Sequence, residues 1–367
     1  NSHMKVGIYT IHACNNYGAM LQAYATQKAL EKLDVEAEIV NYYPREQERI
    51  NSYVTKPKSL KDAIKVGFAI MNPAIHIKTR RFEEFHNMMH LSKRYYSLDE
   101  IYQCPPDYDL HLVGSDQVWN LERGFSVRNY FFLDFLDDGQ RKVAFASSFG
   151  NPNISEATYP QLKNYLCKFE KICIREESGV KLLKDATGLD ATHVLDPTFL
   201  LSKDEWMNVA EEEPIVKGNY ILYYGFDRND TCRKMIQLVR EKLAMPVVAI
   251  SVSTFVPYKF DKFIQSAGPR EFINLLANAS FVITSSFHGL AFATNFRKDF
   301  IVMRTGTRMS RMESLLHEFG FGNRQVDSLD ETDKLLNNDV KIDYSQNEQA
   351  IDAAIKRTKE CLYSLVH

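Results

Sequence analysis

The feature that most constrains the fold is an alternation of short apolar runs with stretches of helical periodicity. KVGIYT opens the chain as a buried strand. NNYGAMLQAYATQKALEKL follows with Leu21, Ala25, Ala29 and Leu33 on one helical face, and AEIVNYY is the next strand. Asn15 or Asn16 can cap that helix. Residues 45–100 break the rhythm. They are polar, cluster Arg80, Arg81, Glu83 and Glu84, carry no strand pattern, and read as a mostly helical insertion. The rhythm returns with YDLHLV, KVAFASSFG, KICI and THVLDPTFLL. It begins again near residue 215 with YILYYGFD, a helix over 229–243, PVVAISVS, a helix over 269–279, FVIT and DFIVMRT. Alternation of this kind predicts parallel sheets with helices on both faces. The expected fold class is α/β, with two Rossmann-like doubly wound domains facing a cleft. The first covers 4–200 with the insertion near 45–100, and the second covers 215–345. Residues 346–367 form an amphipathic helix able to pack back on the first domain.

Composition removes several function classes. The 367 residues carry a formal net charge of −2, which argues against non-specific nucleic-acid binding, since that needs a basic face. There is no apolar run long enough for a transmembrane helix. The start runs straight into a strand pattern without a signal peptide, and Asn1–His3 read as an expression remnant ahead of Met4. The six cysteines are scattered, with no C-x-x-C or other metal-ligand spacing. The expectation is reduced thiols and a cytoplasmic protein, with no metal site.

In open parallel sheets, ligands bind outside the carboxyl ends of the strands, and four polar segments fall at such ends. The first is TIHACNNYGAMLQ, where Asn16, Tyr17, Gly18 and Gln22 surround a helix start. It is either a well-capped helix or a loop presenting amide donors to a sugar or an anion, and it lacks the G-x-G-x-x-G of a dinucleotide site. The second is LVGSDQVWN. Ser115, Gln117 and Trp119 suit a sugar-binding rim, and Asp116 is placed to take a proton from a hydroxyl or simply to form an Asx-turn. The third is CIREESG, whose Arg175 either pairs with Glu176, Glu177 or Asp185 or grips a carboxylate or phosphate. LDPTFLL reads as a structural turn. The fourth is SSFHGLAFATNF. Ser286, His288 and Gly289 open a helix, where free N–H groups and the dipole favour an anion. Gly289 permits close approach and His288 titrates near neutrality. Arg304, Arg308 and Arg311 follow, either as a solvated surface or as an anion clamp, with Arg311 expected on the next helix facing solvent. Arg297 and Lys298 add positive field.

Taken together and in order, NNYGAMLQAYATQKAL, LVGSDQVWN, IREESG, LDPTFLLSKDEW and GPREFINLLANASFVITSSFHGLAFATNF resemble the polysaccharide pyruvyl transferase family over roughly residues 5–320. The resemblance implies a fold similar to GT-B glycosyltransferases. It also implies transfer of a pyruvyl group from phosphoenolpyruvate onto two sugar hydroxyls as a cyclic ketal. His288 matches the conserved histidine of the family. Some members carry arginine at the place of Ser286, and many carry proline where Asp299 follows Lys298. The donor guanidinium must therefore come from elsewhere: Arg308 first, then Arg304 or Arg175. In this reading His288 and Asp116 are catalytic and Ser286 and Gly289 touch the donor. Asn16, Tyr17, Gly18, Gln22, Ser115, Gln117 and Trp119 line the acceptor site.

The implied partners are phosphoenolpyruvate and a sugar or lipid-linked oligosaccharide, with no nucleic acid and no required cofactor. Peripheral contact with the cytoplasmic face of a membrane is compatible with this reading. Two alternatives share the architecture: a nucleotide-sugar glycosyltransferase and a non-catalytic glycan-binding protein.

Overall fold

The structure is a computed structural model and describes residues 3–210, 213–227, 229–250, 259–304 and 310–367. In chain order the first half carries β1 (Lys5–Tyr9), α1 (Tyr17–Glu31), β2 (Glu36–Ile39), α2 (Arg45–Asn51), α3 (Leu60–Met71), α4 (Pro73–Met88), α5 (Leu98–Gln103), β3 (Leu110–Val113), β4 (Lys142–Ser147), α6 (Tyr159–Leu166), β5 (Lys171–Ile174), α7 (Glu177–Thr187) and β6 (Thr192–His193). The second half carries α8 (Lys203–Val209), β7 (Ile221–Tyr224), α9 (Asp230–Leu243), β8 (Val247–Ile250), β9 (Lys262–Ile264), α10 (Pro269–Ala277), β10 (Phe281–Thr284), α11 (Phe287–Asn295), β11 (Phe300–Met303), α12 (Ser310–Phe319), β12 (Gln325–Val326), α13 (Leu329–Asn338) and α14 (Glu348–Val366).

These elements make two six-stranded sheets, ordered β2-β1-β3-β4-β5-β6 and β12-β11-β10-β7-β8-β9. Every pairing is parallel, with Tyr9 opposite Val113 in the first sheet and Thr284 opposite Tyr224 in the second. The central strands are continuous apolar runs because helices cover both faces: LHLV, ILYY and FVIT are buried along their whole length. Each sheet reverses its strand order at one place, between β1 and β3 in the first and between β7 and β10 in the second. Loops leaving two neighbouring strands diverge at such a point and leave a crevice at their carboxyl ends.

The chain divides into two compact units. One is residues 1–48, 86–200 and 352–367; the other is residues 49–85 and 201–351. The insertion is helical, yet residues 49–85 belong to the second unit rather than to a domain spanning 4–200. Two bonds fix it there: Asn72 Nδ2 donates to Gln265 Oε1 at 2.9 Å, and Arg81 Nη1 donates to the Ser266 carbonyl at 2.9 Å. The end of α14 joins the first unit. Its Thr358 Oγ1 accepts from Leu195 N at 2.9 Å, and Arg357 Nε donates to His193 O at 2.7 Å.

One cysteine expectation is corrected. Cys173 of β5 and Cys361 of α14, 188 residues apart, form a disulfide. They are distant in sequence, and the packing of α14 beside β5 brings them together. Among the described residues no helix is long and apolar enough to cross a membrane, and no group of three or more His, Cys, Asp or Glu side chains could hold a metal.

Candidate functional site

In the second unit, FVIT feeds directly into α11 at the β7/β10 reversal. Ser286 is the N-cap, extended at φ −103°, and its hydroxyl accepts from Gly289 N at 3.5 Å. The Tyr224 hydroxyl also hydrogen-bonds the Ser286 side chain; burial raises that phenol, and the Ser286 bond opposes the rise. Thr284 Oγ1 donates to Tyr224 O at 2.6 Å and accepts from Ser286 N at 3.0 Å, which stitches the strand end to the helix start. Ser285 Oγ accepts from Phe226 N at 3.2 Å, joining the loops that leave β7 and β10. His288 lies in the first turn of α11, 8% exposed, with its ring edge-on to Phe287 at 5.2 Å.

Gly289 is required by packing. A Cβ there would sit 2.2 Å from Thr284 Oγ1 and 3.1 Å from the Tyr224 ring. In the structure Ser286 caps the helix and Gly289 lets it press against the strands. His288 supplies the titratable group of the triplet.

The arginines are distributed differently from expectation. Arg304 is half exposed and pairs loosely with Glu313 at 3.8 Å. Arg308 lies outside the described residues. Arg311, expected to face solvent, is half-buried and holds its guanidinium 6.0 Å from the Phe287 ring centroid, at the start of α11. Arg297 is committed to Glu348 through bonds of 2.6 and 2.9 Å. Lys298 donates to the carbonyls of Ala277, the last residue of α10, and Ala279, and burial lowers its ammonium to about 8.

In the first unit, the loops after β1 and β3 meet at the other reversal. Gly114 has φ +131°, and a Cβ would come within 1.9 Å of Phe145 O, so only glycine fits. Gln22 ties the loops together, accepting from Ser115 N at 3.0 Å and donating to Thr10 Oγ1 at 2.9 Å. Asp116 is left-handed at φ +65°, a conformation its residue type tolerates, and its Oδ1 accepts from the next backbone amide, Gln117 N, at 2.8 Å. Its side chain is 16% exposed and lies 4.0 Å from Arg175. The charge of Asp116 also reaches Cys14 in the loop after β1, whose thiol is pushed up to about 12, mainly by burial.

Beneath Asp116, Arg175 is a buried hub. It donates from Nη1 to Asp196 Oδ2 at 2.9 Å and from Nε to Glu176 Oε1 at 3.2 Å. Burial works against its charge, but Glu176, Asp196 and Asp116 outweigh burial and raise its pKa. Asp196 Oδ1 accepts from Thr198 N and Oγ1, so LDPT and IREES close one ion-pair network. Two of the three nitrogens of Arg175, Nε and Nη1, are thereby held by carboxylates of the protein, the pairing that its sequence neighbourhood allowed as the alternative to donor binding.

Several of the residues expected at the acceptor site are engaged within the protein. Trp119 is fully buried, stacked on Phe132 at 5.5 Å, and donates Nε1 to Phe131 O at 2.8 Å. The Ser115 hydroxyl donates to Ala146 O at 2.6 Å, and Gln22, Tyr17 and Gly18 are buried. Asn16 is exposed and caps α1 by accepting from Ala19 N at 3.0 Å. Gln117 is half-buried and accepts from Asn120 Nδ2 at 3.1 Å. The GSDQVWN loop is thus mostly a scaffold, with Asp116, Gln117 and Asn120 its accessible members, and Asn16 is exposed in the loop after β1.

The model of the polysaccharide pyruvyl transferase family matches residues 16–307, which takes in α1, the Asp116 loop, the Arg175 network and the His288 helix. The chain belongs to the polysaccharide pyruvyl transferase family. It is therefore a transferase of a family named for polysaccharide substrates. No curated protein sequence matches it. Solved structures share its fold at low identity. One is UDP-GlcNAc 2-epimerase from Methanocaldococcus jannaschii, with TM-score 0.52 and 13% identity, covering 96% of this chain and 99% of that one. The same enzyme from Neisseria meningitidis, bound to UDP-GlcNAc, has TM-score 0.51 and 12% identity, covering 98% of each. An alpha-glucosyltransferase in complex with UDP and DNA has TM-score 0.50 and 10% identity, covering 100% of this chain and 95% of that one. These likenesses define a GT-B-like architecture for this family member.

Three groups at the reversals escaped the sequence reading. Asp227, in the loop after β7, is buried and accepts on Oδ2 from Tyr223 OH at 3.0 Å. A polar GFD closing an apolar YILYY was the available signal. His12 and His86 stack at 5.2 Å and 9°, with 2.9 Å between Nδ1 and Nε2. Burial, then the charge of His86, lowers His12 to about 3. Burial, then the charge of Arg94, lowers His86 to about 4. No local pattern marks this pair, because its members are 74 residues apart.

Proposed function

We propose that this transferase moves a pyruvyl group from phosphoenolpyruvate to a sugar of a cell-surface polysaccharide, capsule or exopolysaccharide, or of its lipid-linked precursor. The observation that carries the reading is His288 in the first turn of α11, at the β7/β10 reversal, in a chain of this family. A helix start favours the phosphate and carboxylate of the donor, and Arg311 holds its guanidinium 6.0 Å from the ring of Phe287, the first residue of that helix.

The imidazolium of His288 gives a proton to C3 of the enol, and C2 becomes electrophilic. One sugar hydroxyl adds to C2 and loses its proton. A second hydroxyl then takes the place of phosphate as the C2–O bond to phosphate breaks. Of the two hydroxyl protons, one restores His288 and the other leaves on inorganic phosphate. On the first unit, Asp116 is assigned as base for the acceptor hydroxyl. The scheme calls for no metal or further cofactor.

The test is incubation of candidate glycans with phosphoenolpyruvate, followed by mass spectrometry for the added ketal and assay of released phosphate. His288→Gln, which keeps the volume of this nearly buried side chain, is expected to abolish turnover with the melting temperature retained. Arg311→Lys keeps the charge and loses the fork, so donor affinity is expected to fall about tenfold. Unchanged affinity in Arg311→Lys removes Arg311 from the reading. Asp116→Asn is expected to lower turnover more than donor affinity, and an equal loss of both overturns its assignment as base.

A second reading, transfer from a nucleotide sugar, is favoured by Asp227, a carboxylate at a strand end where a ribose hydroxyl could donate. Stabilisation by UDP or GDP sugars and none by phosphoenolpyruvate in a thermal shift would decide for it.

A further inference from the structure

The helix α3 turns its apolar side outward. Leu60, Ile64, Phe68 and Met71 follow the i, i+4, i+8, i+11 spacing of a single stripe. They are 81, 53, 72 and 82% exposed. Away from the stripe Ala69 is buried and Ala63 and Val66 are half-buried, and Ile70 on the flank is 47% exposed. A surface helix of a globular protein ordinarily does the reverse, and a contiguous exposed apolar patch marks a contact surface.

The charges around the stripe say what that contact is. Lys61 and Lys65 run along one edge of it, and Lys56 and Lys58 stand exposed just ahead of the helix. Asp62 is the one acidic residue between positions 54 and 71, so four lysines less one aspartate give +3 for the segment in a chain whose formal charge is −2. The 12 residues of α3 extend roughly 18 Å, well short of the ~30 Å hydrocarbon core of a bilayer, so the helix is built to lie on a membrane and not to span it. The insertion is also well held, through Asn72 to Gln265 and Arg81 to Ser266.

We propose that α3 is an interfacial helix that seats this protein on an anionic phospholipid surface. Its apolar stripe enters the boundary between headgroups and acyl chains, and its lysines meet lipid phosphates. A two-fold pairing of two copies through the same face would bring two segments of like net charge, +3 each, together. An anionic surface turns that repulsion into attraction. The proposal rests on α3 alone and is independent of the donor chemistry.

The full chain is floated with vesicles of phosphatidylcholine alone and of phosphatidylcholine with phosphatidylglycerol. The parent is expected to bind the anionic vesicles at least about tenfold better than the neutral ones, with binding weakened by salt. The double variant Leu60→Ser/Phe68→Ser is expected to lose about tenfold or more of that binding while its melting temperature is unchanged, because both side chains are exposed. Lys61→Glu/Lys65→Glu is expected to lose it as well. Phe68→Trp in the otherwise unaltered chain adds a folding-independent readout, an emission blue shift on adding anionic vesicles. Failure of the parent to bind, equal binding by the serine variant, or an unshifted Phe68→Trp emission overturns the proposal. A dimer in sedimentation equilibrium that Phe68→Ser dissolves also overturns it, by assigning the face to a second copy.

Discussion

The His12–His86 pair makes the first unit acid-sensitive in a calculable way. Both imidazoles are buried and neutral, with folded values of about 3 and about 4. In the unfolded chain each takes a proton near the ordinary value of about 6.5. Their contribution is therefore fully present above about pH 6.5, falls as the pH drops, and levels off only below the folded values. Between about pH 7.5 and about pH 5, each unfolded imidazole gains roughly 2 kcal/mol of protonation free energy that the folded one forgoes, about 4 kcal/mol for the pair. That is a large part of the ~5–15 kcal/mol that stabilises an ordinary domain.

The assay uses the distribution of tryptophans, with Trp119 in the core of the first unit and Trp206 in the second. In a Trp206→Phe background, urea unfolding followed by fluorescence reports the first unit alone. Stability is measured at both pH values for that protein and for His12→Leu/His86→Leu. The double variant replaces both rings with apolar groups of similar size, and Val40 O, which His12 also bonds, keeps its bond from Tyr42 N at 2.9 Å. It is expected to lose about 4 kcal/mol less on acidification. His111, buried in β3 and also lowered to about 4, chiefly by burial, acts with the same sign in both proteins and cancels in the comparison. Equal pH responses in the two proteins would refute the neutral-pair account.

Two further outcomes follow from packing. Gly289→Ala is expected to destabilise the second unit by roughly 1–3 kcal/mol, read from Trp206 in a Trp119→Phe background, because the new methyl meets Thr284 and Tyr224. Unchanged stability with lost donor affinity would instead restore the ligand-approach role. Asp196→Ala leaves the buried Arg175 short of its best partner and is expected to cost the first unit about 3–5 kcal/mol in urea unfolding. A loss confined to donor binding would return Arg175 to the donor site.

The architecture was legible in the sequence because parallel strands buried on both faces must be written as apolar runs, and the helices between them as 3.6-residue periodicities. FVIT, ILYY and LHLV declare themselves in that way, as does the helical character of 45–100. The loops that matter were also legible, since GSDQVWN and SSFHG are polar interruptions at strand ends, and both fall at sheet reversals. Side-chain direction and long-range partnership were decided only by the tertiary structure. GSDQVWN has the same letters whether Trp119 faces a sugar or the core, and the aromatic cluster around Phe132 and Phe169 settles it for the core. Arg175 looks like any anion-binding arginine until β6 brings Asp196 to within 2.9 Å. Arg311 looked solvent-facing until α12 laid it against Phe287. His12 finds His86, and Cys173 finds Cys361, across separations of 74 and 188 residues. Periodicity records which face of an element is buried, but only the assembled sheets and helices determine which distant group waits on that face.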